Sequence, residues 1–146
     1  MIPPDHALLA LDTNVLIHTI RDNAIGRRIG TALRLGERSE RPLISIVTVG
    51  ETLALARRLG WGTQKTSTLR DLLTNLVVVD VSHAGVVDRY AELTAWCQSN
   101  GRSLDDNDRW IAATASVADA WLITTDRDFD PLDPKFLRHV YFDPGR

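Results

Sequence analysis

Short apolar runs alternate with longer stretches of helical spacing along this chain. The apolar runs predict β-strands at Ala7–Asp12, Pro42–Val47, Leu76–Val81, Trp121–Asp126 and His139–Asp143. The stretches between them predict helices at Asn14–Arg21, Ala24–Gly36, Val49–Leu59, Thr63–Thr74, Ala84–Asn100 and Asp106–Ala118. Near-continuous apolar strands separated by helices are typical of a parallel sheet that is covered on both faces. We therefore expect an α/β fold, a three-layer α/β/α sandwich around a mainly parallel sheet of four to five strands.

The composition is that of an ordinary globular protein. The 146 residues are 44% hydrophobic and 25% charged, which predicts one domain, residues 1–146, with one hydrophobic core. The net charge of −2 gives no overall basic signature for nucleic-acid binding. The charge is uneven, however, with ten Lys and Arg against seven Asp and Glu in residues 1–75, and seven against twelve in the rest. A protein that binds polyanions through metal ions can combine such a positive region with an acidic one.

Cysteine and histidine restrict the chemistry further. Cys97 is the only cysteine, so no disulfide can form within the chain, and a reducing cytoplasm is expected. The N-terminal residues lack a cationic signal sequence, and no apolar run reaches the length of about 20 residues that spans a membrane. The four histidines are scattered without the spacing of metal ligands. The P-loop, dinucleotide-binding and hydrolase-elbow motifs are also absent.

Acidic residues follow the predicted strands. Asp12 interrupts the apolar run "LLALDTNVLI", and Asp126 ends "WLITTD". The second strand leads to Glu51 on the first turn of the next helix, and Asp108 lies near the start of another helix. Because ligands bind at the carboxyl ends of strands in open parallel sheets, these four acids are expected to meet at one edge.

Each acid also has a purely structural explanation. Asp12 could cap the helix that follows it, and Thr48-x-x-Glu51 matches a capping box. The helix dipole stabilises acids at the start of the 106–118 helix, and "TTDRDFD" could form an Asx-turn. These explanations do not account for acids from dispersed segments at the same edge. Carboxylates gathered there resist ionisation unless a cation lies between them, and oxygen donors of this kind suit Mg²⁺ or Mn²⁺.

Two segments of the first half resemble motifs of a known family. The stretch "LDTNVLI", with Asp12, Thr13 and Asn14, resembles the opening motif of PIN domains. The stretch "SIVTVGETLAL" resembles their S-x-x-T-x-x-E segment, with Thr48 and Glu51 in register.

Two further segments continue the resemblance in the family order. "NDRWIAATA" is similar to a helix of VapC-type toxins and places Asp108 at its acid. "LITTDRDFD" resembles the closing T-x-D-x-D-F motif, which we match to Thr125, Asp126 and Asp128. Together the four segments span nearly the whole chain.

The resemblance implies a metal-dependent ribonuclease, the toxin of a VapBC toxin–antitoxin pair. Asp12, Glu51, Asp108 and Asp126 would then hold Mg²⁺ or Mn²⁺, with Asp128 as a further candidate ligand. The family pattern implies that Thr13, Asn14, Thr48 and Thr125 orient the carboxylates, whereas Asp105 and Asp106 are helix-start acids. It also implies an RNA substrate, a homodimer and a VapB-type antitoxin partner.

Three other functions remain open from the residues. A response-regulator receiver is also an acidic α/β domain that binds Mg²⁺, but it needs an acidic pair after its first strand and a Lys after a later one. Asp12 is single, and Thr124-Thr125-Asp126 holds no Lys. A non-catalytic PIN-like interaction module should have lost metal-binding acids. A PIN nuclease of RNA processing or decay, without an antitoxin, is consistent with the same residues.

Overall fold

The computed structural model describes residues 1–146 and places five strands between six α-helices. The strands are β1 (Leu9–Leu11), β2 (Leu43–Ser45), β3 (Val77–Val79), β4 (Trp121–Thr124) and β5 (Arg138–Tyr141). The helices are α1 (Thr13–Arg21), α2 (Ala24–Leu33), α3 (Ile46–Arg58), α4 (Thr63–Thr74), α5 (Val86–Ser99) and α6 (Asp106–Val117). Two 3₁₀ segments, Leu35–Glu37 and Arg127–Leu132, complete the secondary structure. None of the helices is both long and apolar enough to cross a membrane.

The five strands form one sheet in the order β3-β2-β1-β4-β5, and every pair is parallel. The strand β1 is central, and Leu11 is in register with Ile123 of β4. In the same way, Ser45 at the end of β2 is in register with Val79 of β3. The segments that follow β1, β2 and β4 therefore leave the sheet at the same edge.

Side-chain alternation along the central strands divides the core between the two faces of the sheet. Ala10 and Leu122 pack with the buried residues of α5 and α6. Leu9, Leu11 and Ile123 pack on the opposite face with apolar residues of α1 to α4. This arrangement confirms the predicted three-layer α/β/α sandwich with a parallel sheet.

Three local predictions were wrong. Helix α3 begins at Ile46 rather than Val49, because Ser45 caps it by accepting a hydrogen bond from the Val47 N–H at 3.0 Å. Helix α2 ends at Leu33, before the predicted Gly36, because Arg34 adopts a left-handed conformation with φ of 53°. The edge strand β3 is not covered on both faces, since its first two valines are 43% and 42% exposed.

Candidate active site

Asp12 is held at the carboxyl end of β1 by three hydrogen bonds. Its N–H donates to the carbonyl of Ile123 at 3.0 Å, which extends the contact between β1 and β4 by one residue. Its carboxylate accepts from the Thr13 N–H at 2.6 Å and from the Thr124 hydroxyl at 2.7 Å. The side chain is only 3% exposed. The predicted capping of α1 by Asp12 is thus confirmed, and it leaves lone pairs on both carboxylate oxygens.

A chain of hydroxyl groups connects α1 to Glu51 on α3. The Thr13 hydroxyl donates to Glu51 Oε1 at 2.6 Å and lies 3.0 Å from the Thr48 hydroxyl. Because the Thr13 hydroxyl has one proton, Thr48 donates to Thr13 and Thr13 donates to Glu51. Thr48 is fully buried inside α3, whose N-cap is Ser45, so the capping box predicted for Thr48 and Glu51 is absent. Glu51 is instead oriented by tertiary contacts.

Helix α6 brings a second donor to Glu51. The Asn107 side-chain amide donates to Glu51 Oε2 at 3.2 Å, so both oxygens of Glu51 have protein partners. Asp105 caps α6 by accepting from the Asn107 N–H. Asp106 accepts hydrogen bonds from Tyr90 and Arg109 instead. Asp105 and Asp106 are therefore helix-start acids, as expected, and Asp108 is half-buried on the same first turn.

Thr124 connects Asp126 to the same network. Its hydroxyl donates to Asp12 and accepts from the Asp126 N–H at 3.0 Å. The Asp126 carboxylate accepts from the Asp128 N–H at 2.8 Å, which forms the anticipated Asx-turn. Thr125 makes no side-chain hydrogen bond, whereas Thr124, which was not among the predicted residues, contacts both Asp12 and Asp126. The spacing T-x-D-x-D-F, counted back from Asp126, selects Thr124 and could have identified it.

Two other predicted residues lie outside this network. Asn14 is exposed on the first turn of α1 and makes no side-chain hydrogen bond. Asp128 is exposed, and it lines a cavity of about 270 Å³ with Arg102 and Arg127. Asn107, in contrast, contacts Glu51 although it is not among the residues predicted for the site. Its position directly before Asp108 in the "NDRWIAATA" helix was the available signal.

Burial and mutual repulsion make two carboxylates hard to ionise. Burial raises the pKa of Asp12 to about 6, although the hydrogen bonds from Thr124 and Thr13 oppose this change. The charges of Asp126 and Glu51 raise it further. Burial also raises the pKa of Asp108 to about 7, together with the charges of Asp12, Asp105, Asp126 and Glu51. Asp126 thus lies near enough to act on both Asp12 and Asp108, whereas Asp128 does not contribute to either shift.

The donor set decides which cation this edge suits. The four carboxylates offer only oxygen, and no Cys or His is hydrogen-bonded into the network, which favours Mg²⁺ or Mn²⁺ over zinc. No group of three or more Asp, Glu, His and Cys side chains is arranged closely enough to hold a metal ion. Mg²⁺ usually keeps several waters and takes only one or two carboxylates. The residues therefore fit a hydrated cation rather than one enclosed by protein ligands.

The fold and the acidic edge define an open parallel α/β protein with polar chemistry at its strand ends. The family model of the PIN domain matches residues 9–133, and the chain therefore belongs to the PIN domain family. No curated protein sequence matches the chain.

Several solved structures share the fold. The chain is similar to VapBC2 from Rickettsia felis, solved with a DNA fragment from its promoter, with 23% identity and a TM-score of 0.78 over 93% of this chain and 99% of that one. DNA-bound VapBC from Salmonella typhimurium is 20% identical, with a TM-score of 0.74 over 92% of this chain and 98% of that one. VapBC-5 from Mycobacterium tuberculosis gives 24% identity and a TM-score of 0.69, covering 93% and 99%. These likenesses extend the fold assignment over nearly the whole chain.

Proposed function

We propose that the chain is a Mg²⁺- or Mn²⁺-dependent endoribonuclease that acts as the toxin of a VapBC-type toxin–antitoxin pair. The observation that carries the proposal is the gathering of Asp12, Glu51, Asp108 and Asp126 from four separate segments. Membership in the PIN domain family and the fold shared with VapBC complexes support it. The partners would be RNA, a VapB-type antitoxin and a second copy of the chain, all in the cytoplasm.

The chain's own residues would hold and orient the reacting groups. The cation would lie among Asp12, Glu51, Asp108 and Asp126, held directly by one or two of these carboxylates and through its waters by the others, with Asp128 farther out. When bound, such a cation activates a water and offsets the charge that develops on the scissile phosphate. Thr13 and Thr124 fix the carboxylates of Glu51 and Asp12, respectively, through their hydroxyl groups. No histidine belongs to this network, so an imidazole general base has no part in the proposal.

Two alternatives differ in their support. Family membership removes the receiver-like signalling domain, whose acids occupy a different pattern. A PIN nuclease of RNA processing or decay would use the same four acids without an antitoxin. The four acids also argue against a non-catalytic module, since a binding surface alone would not need carboxylates with pKa values of about 6 and 7.

The nuclease activity can be tested with a matched pair of variants. The purified protein should cleave single-stranded RNA in Mg²⁺ or Mn²⁺ and stop in excess EDTA. Asp108→Asn should lower the cleavage rate at least about 100-fold, because it removes a carboxylate from the acidic edge. Asp106→Asn, on the same helical turn, should retain activity, since Asp106 bonds to Tyr90 and Arg109 instead. Equal rates in the two variants would contradict the assigned acids.

The biological role requires a separate measurement. Expression of the wild-type chain should arrest growth, and coexpression of a small protein encoded beside it should restore growth. Asp108→Asn should be harmless in the same cells. A chain that cleaves RNA in vitro yet leaves growth unchanged would favour RNA processing or decay over a toxin.

A further inference from the structure

Four cationic side chains on α3 and α4 form neither an ion pair nor a hydrogen bond. They are Arg57 and Arg58 in the last turn of α3, and Lys65 and Arg70 on α4. All four are exposed, and none forms an ion pair or a hydrogen bond. Seven of the chain's other arginines, in contrast, form ion pairs with acids. This part of the surface therefore carries positive charge that the protein itself does not neutralise.

Two of these cations lie at a groove between α3 and α4. Arg57 and Arg70 line this groove, which has a volume of about 490 Å³. Its other polar lining consists of the hydroxyl-bearing residues Thr63, Thr66 and Ser67. We call this feature, with its neighbour Lys65, the cationic groove. The one exposed acid of α4, Asp71, does not line it.

An aromatic ring forms part of the same surface. Trp61 is half-buried, lines the cationic groove, and has the Lys65 ammonium 4.4 Å from its ring centroid. Guanidinium groups and hydroxyls bind phosphates, and an aromatic ring between them can stack on a base. This combination is typical of surfaces that bind single-stranded nucleic acid.

Helix energetics do not explain all four cations. Arg57 and Arg58 lie at the C-terminal end of α3, where the helix dipole favours positive charge. Lys65, however, lies in the first turn of α4, where the dipole disfavours it, and that turn contains no acid. A bound anion would remove this conflict.

The cationic groove is connected to the acidic edge by α3 itself. Glu51 and Arg57 are six residues apart in the same helix, a separation of about 9 Å along its axis. Leu53 and Ala56, which lie between them in the sequence, also line the cationic groove. An extended strand that presents one phosphate at Glu51 can follow α3 to the cationic groove.

From these contacts we infer that the cationic groove binds the phosphate backbone of the RNA substrate, a few nucleotides from the bond presented to the carboxylates. This inference rests on the proposed nuclease function. It assigns Arg57 and Arg70 to the binding of RNA and not to the chemical step. The carboxylates repel a polyanion when they are ionised, and cations on the same helix offset that repulsion.

The inference can be tested by RNA binding in EDTA, where no cleavage occurs. The probe is a labelled single-stranded RNA of about 20 nucleotides, a length that exceeds typical single-strand binding sites, and its anisotropy is measured over a series of salt concentrations. Arg57→Gln combined with Arg70→Gln should weaken binding about tenfold or more. The slope of log affinity against log salt should become shallower by about 1.4, which is about 0.7 for each lost contact with a single strand.

The control removes two other cations that form neither an ion pair nor a hydrogen bond. Arg41→Gln combined with Lys135→Gln changes the net charge equally, and both residues are exposed and outside the cationic groove. This control should keep the wild-type affinity and slope. In Mg²⁺, the Arg57 and Arg70 double variant should raise KM about tenfold with kcat unchanged, because it loses binding and not catalysis.

The outcomes separate this inference from the proposed function. In one outcome, the wild type binds RNA without cleaving it, while the double variant shows the expected loss of affinity and the shallower salt slope. That result would refute the nuclease function and support RNA binding by the cationic groove. Cleavage with unchanged affinity and slope in the double variant would refute the cationic groove alone, as would an equal loss in the control or no binding by the wild type. A partner protein as the true occupant would also leave RNA affinity unchanged in the double variant.

Discussion

The acidic edge and the cationic groove are two regions of opposite charge in this protein, and they are built in opposite ways. At the acidic edge, Asp12 is 3% exposed and its carboxylate already has two protein donors. In the cationic groove, Arg57 and Arg70 are exposed and have no protein acceptor. Burying charge is costly, and the donors to Asp12 offset part of that cost and fix the position of its carboxylate. The exposed arginines keep their hydrogen bonds for a ligand.

The largest expected effect comes from removing the buried charge. Asp12→Asn should abolish metal-dependent cleavage and yet stabilise the protein in EDTA at pH 8. The asparagine oxygen can still accept from the Thr13 N–H, and the Thr124 hydroxyl can turn to accept from the new amide. Removal of the ionised, buried carboxylate should raise the free energy of unfolding by up to about 3 kcal/mol, because burial raises the pKa of Asp12 to about 6.

The pH dependence gives the sign of this effect. The pKa of Asp12 is raised on folding, from 3.8 to about 6. Protonation of Asp12 therefore stabilises the folded state, fully below about pH 4, and this stabilisation is lost as pH rises through 6. Asp108 acts in the same direction up to about pH 7. Urea unfolding in EDTA between pH 4 and 8 should therefore show a steeper loss of stability for the wild type than for Asp12→Asn. A variant less stable than the wild type at pH 8 would contradict the account of Asp12 as a strained charge.

A smaller effect is expected from the hydroxyl that bridges Asp12 and Asp126. Thr124→Val keeps the shape of the buried side chain but removes its hydrogen bonds to both residues. Groups that orient metal ligands typically contribute 10–100-fold, so cleavage should fall by about that factor. Thr125→Val is the matched control, since Thr125 makes no side-chain hydrogen bond, and it should cleave at nearly the wild-type rate. A larger loss in Thr125→Val than in Thr124→Val would reverse the assignment made from the structure.

The sequence predicted the parts of the site that depend on strand ends. Apolar strands alternating with helices predict a parallel sheet, and Asp12 and Asp126 end two of the predicted strands, so their meeting follows from topology. The motif spacing counted back from Asp126 also selects Thr124 over Thr125, although the prediction matched Thr125. The contact of Asn107 with Glu51 depends instead on how α6 packs against α3. This is a tertiary contact, which local patterns along the chain do not contain.

The start of α3 also depends on tertiary contacts that the sequence does not reveal. Ser45 and Thr48 are both good N-cap residues, and local propensity cannot choose between them. The structure chooses Ser45, which releases the Thr48 hydroxyl to reach Thr13. The positive region in residues 1–75 was predicted, but the groove was not, because Arg57 and Arg70 are thirteen positions apart and resemble ordinary solvated residues on their own helices.

The strand order has a consequence for how the protein is made. Strand β1 pairs with β2 on one side, but its other neighbour, β4, begins only at Trp121. During synthesis one edge of β1 therefore stays unpaired until more than a hundred further residues have been added. Contacts between residues so distant along the chain form slowly. The late strand also delivers Thr124 and Asp126 to Asp12. A growing chain on the ribosome thus gains its acidic edge only when the sheet closes, and shorter nascent chains lack it.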